Sequence, residues 1–183
     1  MKVHPTPLAG LFILENNLFS DSRGFFTERF REDRWPPGSP VPRFIQDNFS
    51  RSAPRVLRGL HYQTNPAQGK LVTCMRGKIF DVAVDLRRSS VTFGKHFSLV
   101  LDGNEPRWLW VPEGFAHGFC VLGDEPADVL YKVNNYYSPA GDRGMHWNDP
   151  RLKIPWPIEN PLLSEKDERL PGFAAYLEGP IFS

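Results

Sequence analysis

Between its proline and glycine punctuation the chain alternates apolar and polar residues with a period of two, the spacing of a strand. In Lys78-Ile79-Phe80-Asp81-Val82-Ala83-Val84-Asp85-Leu86, one face collects Phe80, Val82, Val84 and Leu86. The other collects Ile79, Asp81, Ala83 and Asp85, an alternation that places two carboxylates together. The same pattern predicts strands over 96–101, 108–111, 115–122 and 129–133, and further ones over 23–30, 44–49, 56–63 and 71–75. Trp108 and Trp110 share one face of their strand, which suits a core or a dimer contact better than a ligand box. Helical spacing is scarce. Its best case is Ser164–Arg169, where Ser164 caps and Asp167 follows three residues on. Four prolines in Trp35–Pro42 forbid a helix or a ladder there, so an irregular surface loop is expected. Short strands with turn signals every 8–12 residues or so predict an all-β fold, an antiparallel jelly-roll sandwich or barrel with a few short helices.

Length and charge narrow the function. A chain of 183 residues suits one domain spanning 1–183. With 22 Lys+Arg against 21 Asp+Glu the net charge is +1, which provides no electrostatic footprint for nucleic acid or an anionic membrane. The apolar runs fall far short of the roughly 20 residues of a spanning helix. The start, Met1-Lys2-Val3-His4-Pro5, lacks the apolar stretch of a secretory signal, so the cytoplasm is the expected compartment. Cys74 and Cys120 are isolated in apolar surroundings and read as buried thiols, neither a disulfide framework nor a thiolate metal site.

Polar residues inside strands are informative where several converge, and three segments qualify. Arg58-Gly59-Leu60-His61-Tyr62-Gln63 alternates Gly59, His61 and Gln63 against Arg58, Leu60 and Tyr62. Gln68-Gly69-Lys70-Leu71-Val72 sets a lysine at the mouth of the next strand, and Pro112-Glu113-Gly114-Phe115-Ala116-His117 sets a histidine after a Pro/Gly turn. The last segment resembles the second signature of the cupin jelly rolls. Where a cupin's first signature supplies a His-x-His pair and a glutamate, this chain has His61-Tyr62-Gln63 and then Gln68 or Lys70. Two histidines, an amide and a cation make a poor divalent-metal set, so acid/base chemistry without a metal is expected.

Over Asp21 to Asp167 the chain resembles the dTDP-4-dehydrorhamnose 3,5-epimerases, metal-free cupin-like enzymes of deoxysugar synthesis. The matching pieces fall in order: Asp21-x-Arg23-Gly24-x-Phe26-x-Glu28, Gln46-x-Asn48, Arg58-Gly59-Leu60-His61-x-Gln63, Gln68-Gly69-Lys70-Leu71-Val72, Pro112-x-Gly114-x-x-His117-Gly118-Phe119, Tyr131-Lys132, Trp147-x-Asp149-Pro150 and Leu163-Ser164-x-Lys166-Asp167. The family's substrate is a 4-keto-6-deoxyhexose on thymidine diphosphate, whose ketone acidifies the hydrogens on carbons 3 and 5. Epimerisation needs a base, an acid on the opposite face and a cation for the enolate oxygen, with no cofactor.

The resemblance implies His61 as base, Asp167 as the carboxylate orienting it, Lys70 at the enolate oxygen and Tyr131 as acid. It places Arg58 and His117 at the phosphates or the adjoining sugar, and Arg23, Glu28, Gln46, Asn48 and Lys166 around the nucleotide. Phe19, Phe26 and Tyr137 are candidates to pack on the thymine, each against the alternative of ordinary packing. Relatives commonly carry Glu where this chain has Asp142, which shortens that contact. His4, His96 and His146 match no catalytic position. The implied partners are a dTDP-sugar substrate and a second copy of the chain, with the apolar segment Leu11-Phe12-Ile13-Leu14 as the exchanged strand of a homodimer. A relative inverting one centre or acting on another 4-ketosugar nucleotide, and a non-catalytic sugar-nucleotide-binding jelly roll, are the alternatives. A pure binder has no need of His61, Lys70, Tyr131 and Asp167 together.

Overall fold

The alternating segments pair antiparallel throughout, and they build two sheets stacked face to face. The computed structural model describes residues 1–38 and 40–183; Ser39, in the loop expected at Trp35–Pro42, lies outside the described residues. One sheet orders its strands β1 (Lys2–Pro5), β2 (Phe12–Glu15), β10 (Arg107–Val111), β7 (Lys70–Arg76), β12 (Ala127–Val133) and β5 (Gln46–Ser52). The other runs β13 (Asp142–Gly144), β6 (Leu57–Gln63), β11 (Phe115–Leu122), β8 (Lys78–Asp85) and β9 (His96–Asp102). A separate hairpin joins β3 (Phe19–Asp21) to β4 (Gly24–Phe26). This is the jelly-roll class read from the sequence.

Alternation decides what each face meets. Val72 and Cys74 of β7, Leu109 and Val111 of β10 and Val129 of β12 close on Ile79, Ala83, Phe115, Phe119 and Val121 of the opposite sheet. Each Val, Leu, Ile or Phe among them removed from water contributes about 1.5–3 kcal/mol. The outer face of the second sheet is dry as well. The chain after β13, including α2 (Phe173–Glu178), lays Met145, Leu152, Phe173 and Tyr176 over Leu60, Tyr62, Val82 and Val84. On the outer face of the first sheet Trp108 and Trp110 pack with Leu14, Leu71 and Trp35, so the proline-rich loop is anchored by a buried tryptophan.

The strand β8 is therefore buried on both sides, and its two carboxylates point inward rather than to solvent. Asp85 is answered by Arg87, Ser90 and Thr92. Burial raises its pKa, but those hydrogen bonds outweigh the burial and bring it down to about 2.

Strand β6 carries the irregularity that matters for the site. His61 pairs with His117 and Arg58 with Phe119, so three steps on β6 match two on β11. This is a bulge, and it turns Arg58 and His61 to the same side although simple alternation separates them. Gly59 makes it with φ +120°, and a Cβ there would stand 2.6 Å from the Gly118 Cα. Only two facing glycines allow so close an approach of the strands.

The expected strand over 23–30 shrinks to β4, because the Arg29 carbonyl is taken by side chains. Asn16 Nδ2 and Trp108 Nε1 donate to it at 2.5 and 2.6 Å. The expected capped helix is α1 (Glu165–Glu168), with Ser164 accepting from the Asp167 amide at 3.1 Å. Helix α2 was not expected. The Leu11–Leu14 segment, expected to cross to a partner, pairs through β2 with β1 and β10 of its own chain.

Candidate active site

A cleft opens between the two sheets, bounded by β5, β6, β7, β11, β12 and the α1 turn. Its inner hollow of about 260 Å³ is lined by Arg58, His61, Lys70, His117, Tyr131 and Asp167 among others. The outer hollow of about 430 Å³ is lined by Gln46, Asn48, Gln68, Tyr137, Asp142 and Lys166. His61, Lys70, Tyr131 and Lys166 border both, so the two are halves of one space.

His61 stands near the end of β6 with its Nε2 2.5 Å from Asp167 Oδ1. The one-turn helix α1 exists to present that carboxylate, which is 3% exposed. Burial alone raises the Asp167 pKa. Hydrogen bonds from His61, Ser164 and the Gly59 amide outweigh it, and the net shift is downward. With Nε2 committed, Nδ1 is the nitrogen left to take a proton from a ligand.

Lys70 enters from the first residue of β7, on the inward face it shares with Val72 and Cys74. Burial pushes its pKa down to about 8, against the opposite pull of the Asp142 and Asp81 carboxylates. Its Nζ reaches the His61 carbonyl at 3.5 Å, and among the described residues it makes no ion pair. Tyr131 lies across the cleft on β12. Burial raises its pKa above the ordinary phenol value, so it stays protonated through neutral pH.

The remaining residues divide sharply. Arg58 binds Ser52 Oγ through Nε at 2.9 Å and lines the inner hollow. Gln46 donates to Asn48 Oδ1 at 2.8 Å on the β5 face of the outer hollow. At its mouth the Tyr137 hydroxyl donates to Asp142 Oδ2 at 3.0 Å, and Lys166 pairs with the same carboxylate. Phe19, Arg23, Phe26 and Glu28 are not brought there. The first three line a hollow on the β3–β4 hairpin, with Phe26 65% exposed, and Glu28 pairs with Arg31 and Arg34. Gln63 is spent on the fold, holding the 136–138 backbone.

Two residues, one behind the cleft wall and one lining it, escape sequence reasoning. Asp81 sits behind His117 with both carboxylate oxygens near its Nε2, a contact that depends on the β8–β11 register. Ser50 lines the inner hollow with its Oγ buried and without a partner. The period-two reading of β5 from Gln46 through Asn48 to Ser50 was the available signal. No three His, Cys, Asp or Glu side chains converge as a metal site among the described residues.

An oriented imidazole, a protonated phenol across from it and a half-buried ammonium with no ion pair among the described residues equip the cleft to move protons at carbon and to hold the charge that develops. The class is a cupin-like acid/base enzyme. The chain belongs to the dTDP-4-dehydrorhamnose 3,5-epimerase family, whose model matches residues 5–175. It is 52% identical to the dTDP-4-dehydrorhamnose 3,5-epimerase of Shigella flexneri over 91% of this chain and 93% of that one. It is similar to the solved dTDP-6-deoxy-D-glucose-3,5-epimerase of Legionella pneumophila in complex with dTDP-4-keto-L-rhamnose, with a TM-score of 0.90 and 44% identity, covering 94% and 93% of the two chains. A 3'-monoepimerase of Streptomyces bikiniensis in complex with dTDP-quinovose shares the fold at a TM-score of 0.90 and 32% identity, covering 98% and 91%.

Proposed function

We propose that the chain, as one domain, epimerises a dTDP-4-keto-6-deoxyhexose at carbons 3 and 5, converting dTDP-4-dehydro-6-deoxy-D-glucose to dTDP-4-dehydro-L-rhamnose through an enolate. The observation that carries this reading is the 2.5 Å His61–Asp167 pair in a cleft also bordered by Lys70 and Tyr131. His61 Nδ1 removes the hydrogen beside the ketone, and the electron pair moves onto the carbon-4 oxygen. Lys70 holds that oxygen, and Tyr131 returns a proton from the other face. Asp167 stabilises the imidazolium while the enolate exists. Arg58 and His117 take the diphosphate or the adjoining sugar, and Gln46, Asn48, Tyr137, Asp142 and Lys166 frame the nucleotide.

Arg23, Phe26 and Glu28, with Phe19, lie outside this cleft, which supports a homodimer in which each hairpin serves a partner's site. The free hairpin, more than β2, is the segment suited to exchange, since β2 is an inner strand of its own sheet. The working compartment is the cytoplasm, where the sugar nucleotide would be met. No helix among the described residues is long and apolar enough to cross a membrane.

Incubation with dTDP-4-keto-6-deoxyglucose in deuterium oxide tests the reading. Deuterium at both carbons 3 and 5 with formation of the L-rhamno product is expected. Exchange at one carbon alone makes this a mono-epimerase, and no exchange leaves a binding protein.

A further inference from the structure

The reaction proposed above leaves a buried carboxylate without a task. Asp81, in the middle of β8, is 0% exposed, and its Oδ1 and Oδ2 lie 2.9 and 3.0 Å from His117 Nε2. Among the described residues this imidazole is its one side-chain partner, whereas Asp85 on the same strand has an arginine and two hydroxyls. A buried acid with so little compensation is a poor stabiliser of a fold, which a neutral side chain would serve better. Its position says more. His117 stands directly opposite His61 in the β6–β11 register and lines the same inner hollow. Both rings are tied by Nε2 to a buried carboxylate, one Asp167 and the other Asp81. Both therefore leave Nδ1 without a side-chain partner among the described residues. Tyr131 stands across from the first, while Arg58, whose Nε is held by Ser52, lines the wall beside the second.

We propose that Asp81 is a positioning residue for substrate binding: it holds His117 by Nε2 so that Nδ1 meets an oxygen of the substrate's diphosphate next to Arg58. A carboxylate on the far nitrogen fixes the ring's orientation, and it neutralises the ring when Nδ1 carries a proton as donor to an anion. The two histidines then differ by what they face and not by how they are held. This rests on the dTDP-sugar reading of the cleft, and the experiment separates the two.

Binding of dTDP is measured by calorimetry for the wild type, Asp81→Asn, His117→Ala and the double variant. Asp81→Asn is expected to weaken dTDP about tenfold or more. In the His117→Ala background the same change should alter affinity by less than about twofold, because an orienting residue has nothing left to orient. Additive losses, or an Asp81→Asn affinity equal to the wild type, overturn the proposal. Nitrogen-15 spectra of the wild type, with His117→Asn for assignment, decide the matter if Asp81→Asn fails to fold. His117 Nε2 must carry a proton, and an unprotonated Nε2 overturns the proposal. Neither readout needs turnover. A wild type that binds dTDP in this manner yet washes no deuterium into substrate refutes the epimerase reading and leaves Asp81 in its role.

Discussion

Replacing Asp167 by Asn isolates what the carboxylate does for the base. The amide fits the same space above β6, but it brings no charge to His61 Nε2, now 2.5 Å from Asp167 Oδ1. If the amide nitrogen turns toward the ring, it donates to Nε2 and drives the proton to Nδ1, where the base should be vacant. The charge lost in the transition state follows from Coulomb's law. With centres of charge about 4 Å apart and an effective dielectric constant near 20, the attraction is about 4 kcal/mol. That corresponds to about three orders of magnitude in rate. Water does not replace it, because Asp167 is buried beneath its own helical turn. The expected result is a kcat lower by about 10³, within the 10²–10⁴ or so of general base catalysis, measured by deuterium exchange and product formation. Binding of dTDP should stay within about twofold of the wild type, since the two sites do not share the carboxylate. A variant with normal kcat at saturation and weakened dTDP binding would make Asp167 a binding residue and refute the dyad.

Tyr131→Phe should cut epimer formation by about 10²–10⁴ while deuterium still enters recovered substrate with retention, followed by NMR; a normal epimerisation rate removes Tyr131 as the acid. If Lys70 serves as an ammonium at the enolate oxygen, as proposed, kcat should fall as pH rises through about 8, where burial sets its pKa. Tyr131 titrates above the ordinary phenol range and cannot supply this limb, and its persistence in Lys70→Met would assign it to another group. Because the folded-state pKa of Lys70 lies below its unfolded value, the unfolded chain holds more protons between them and stability rises with pH there. Lys70→Met should accordingly melt higher than the wild type at neutral pH, in a thermal scan, while losing activity. Gly59→Ala should cost at least about 1–3 kcal/mol in denaturant unfolding, since the new methyl meets the Gly118 Cα at 2.6 Å and the backbone sits at φ +120°. Mixing Arg23→Ala with His61→Ala should restore activity by forming hybrid dimers with one intact site, and a sedimentation mass near one chain at micromolar concentration defeats the arrangement.

Strands with sustained alternation were legible almost to the residue: 115–122 is β11, and 78–86 loses only its last residue in β8. Their apolar positions are numerous enough to impose a period. The three-residue β13 has no pattern of its own and exists through its pairing with β6. Helix α2 is too short to show a helical period, and Phe173 and Tyr176 are fixed by packing on the outer sheet face. The candidate residues were named as types in an order, and the cleft gathers His61, Lys70, Tyr131 and Asp167 from β6, β7, β12 and α1. Arg58 joins them only because of the bulge at Gly59, which no alternation rule foresees. Asp81 is invisible from sequence because its meaning depends on which residue of β11 lies beside it. Arg23, Phe26 and Glu28 were matched by motif, but chain order alone does not say that a matched side chain reaches the cleft of its own chain, and these do not.

The distribution of charge in the cleft favours Lys70 over the other cations for the proposed role at the enolate oxygen. Lys166 is already paired with Asp142, and Arg58 lines the hollow with its Nε held by Ser52 Oγ. The His61 imidazolium, when it forms, is met by Asp167. Lys70 is a half-buried ammonium lining the hollow with no ion pair among the described residues, and burial lowers its pKa. A ketone oxygen improves that situation little, whereas an enolate oxygen brings the full negative charge the fold withholds. In the proposed reaction the interaction is therefore stronger in the transition state than with bound substrate, which is the condition for accelerating the reaction rather than merely holding the sugar.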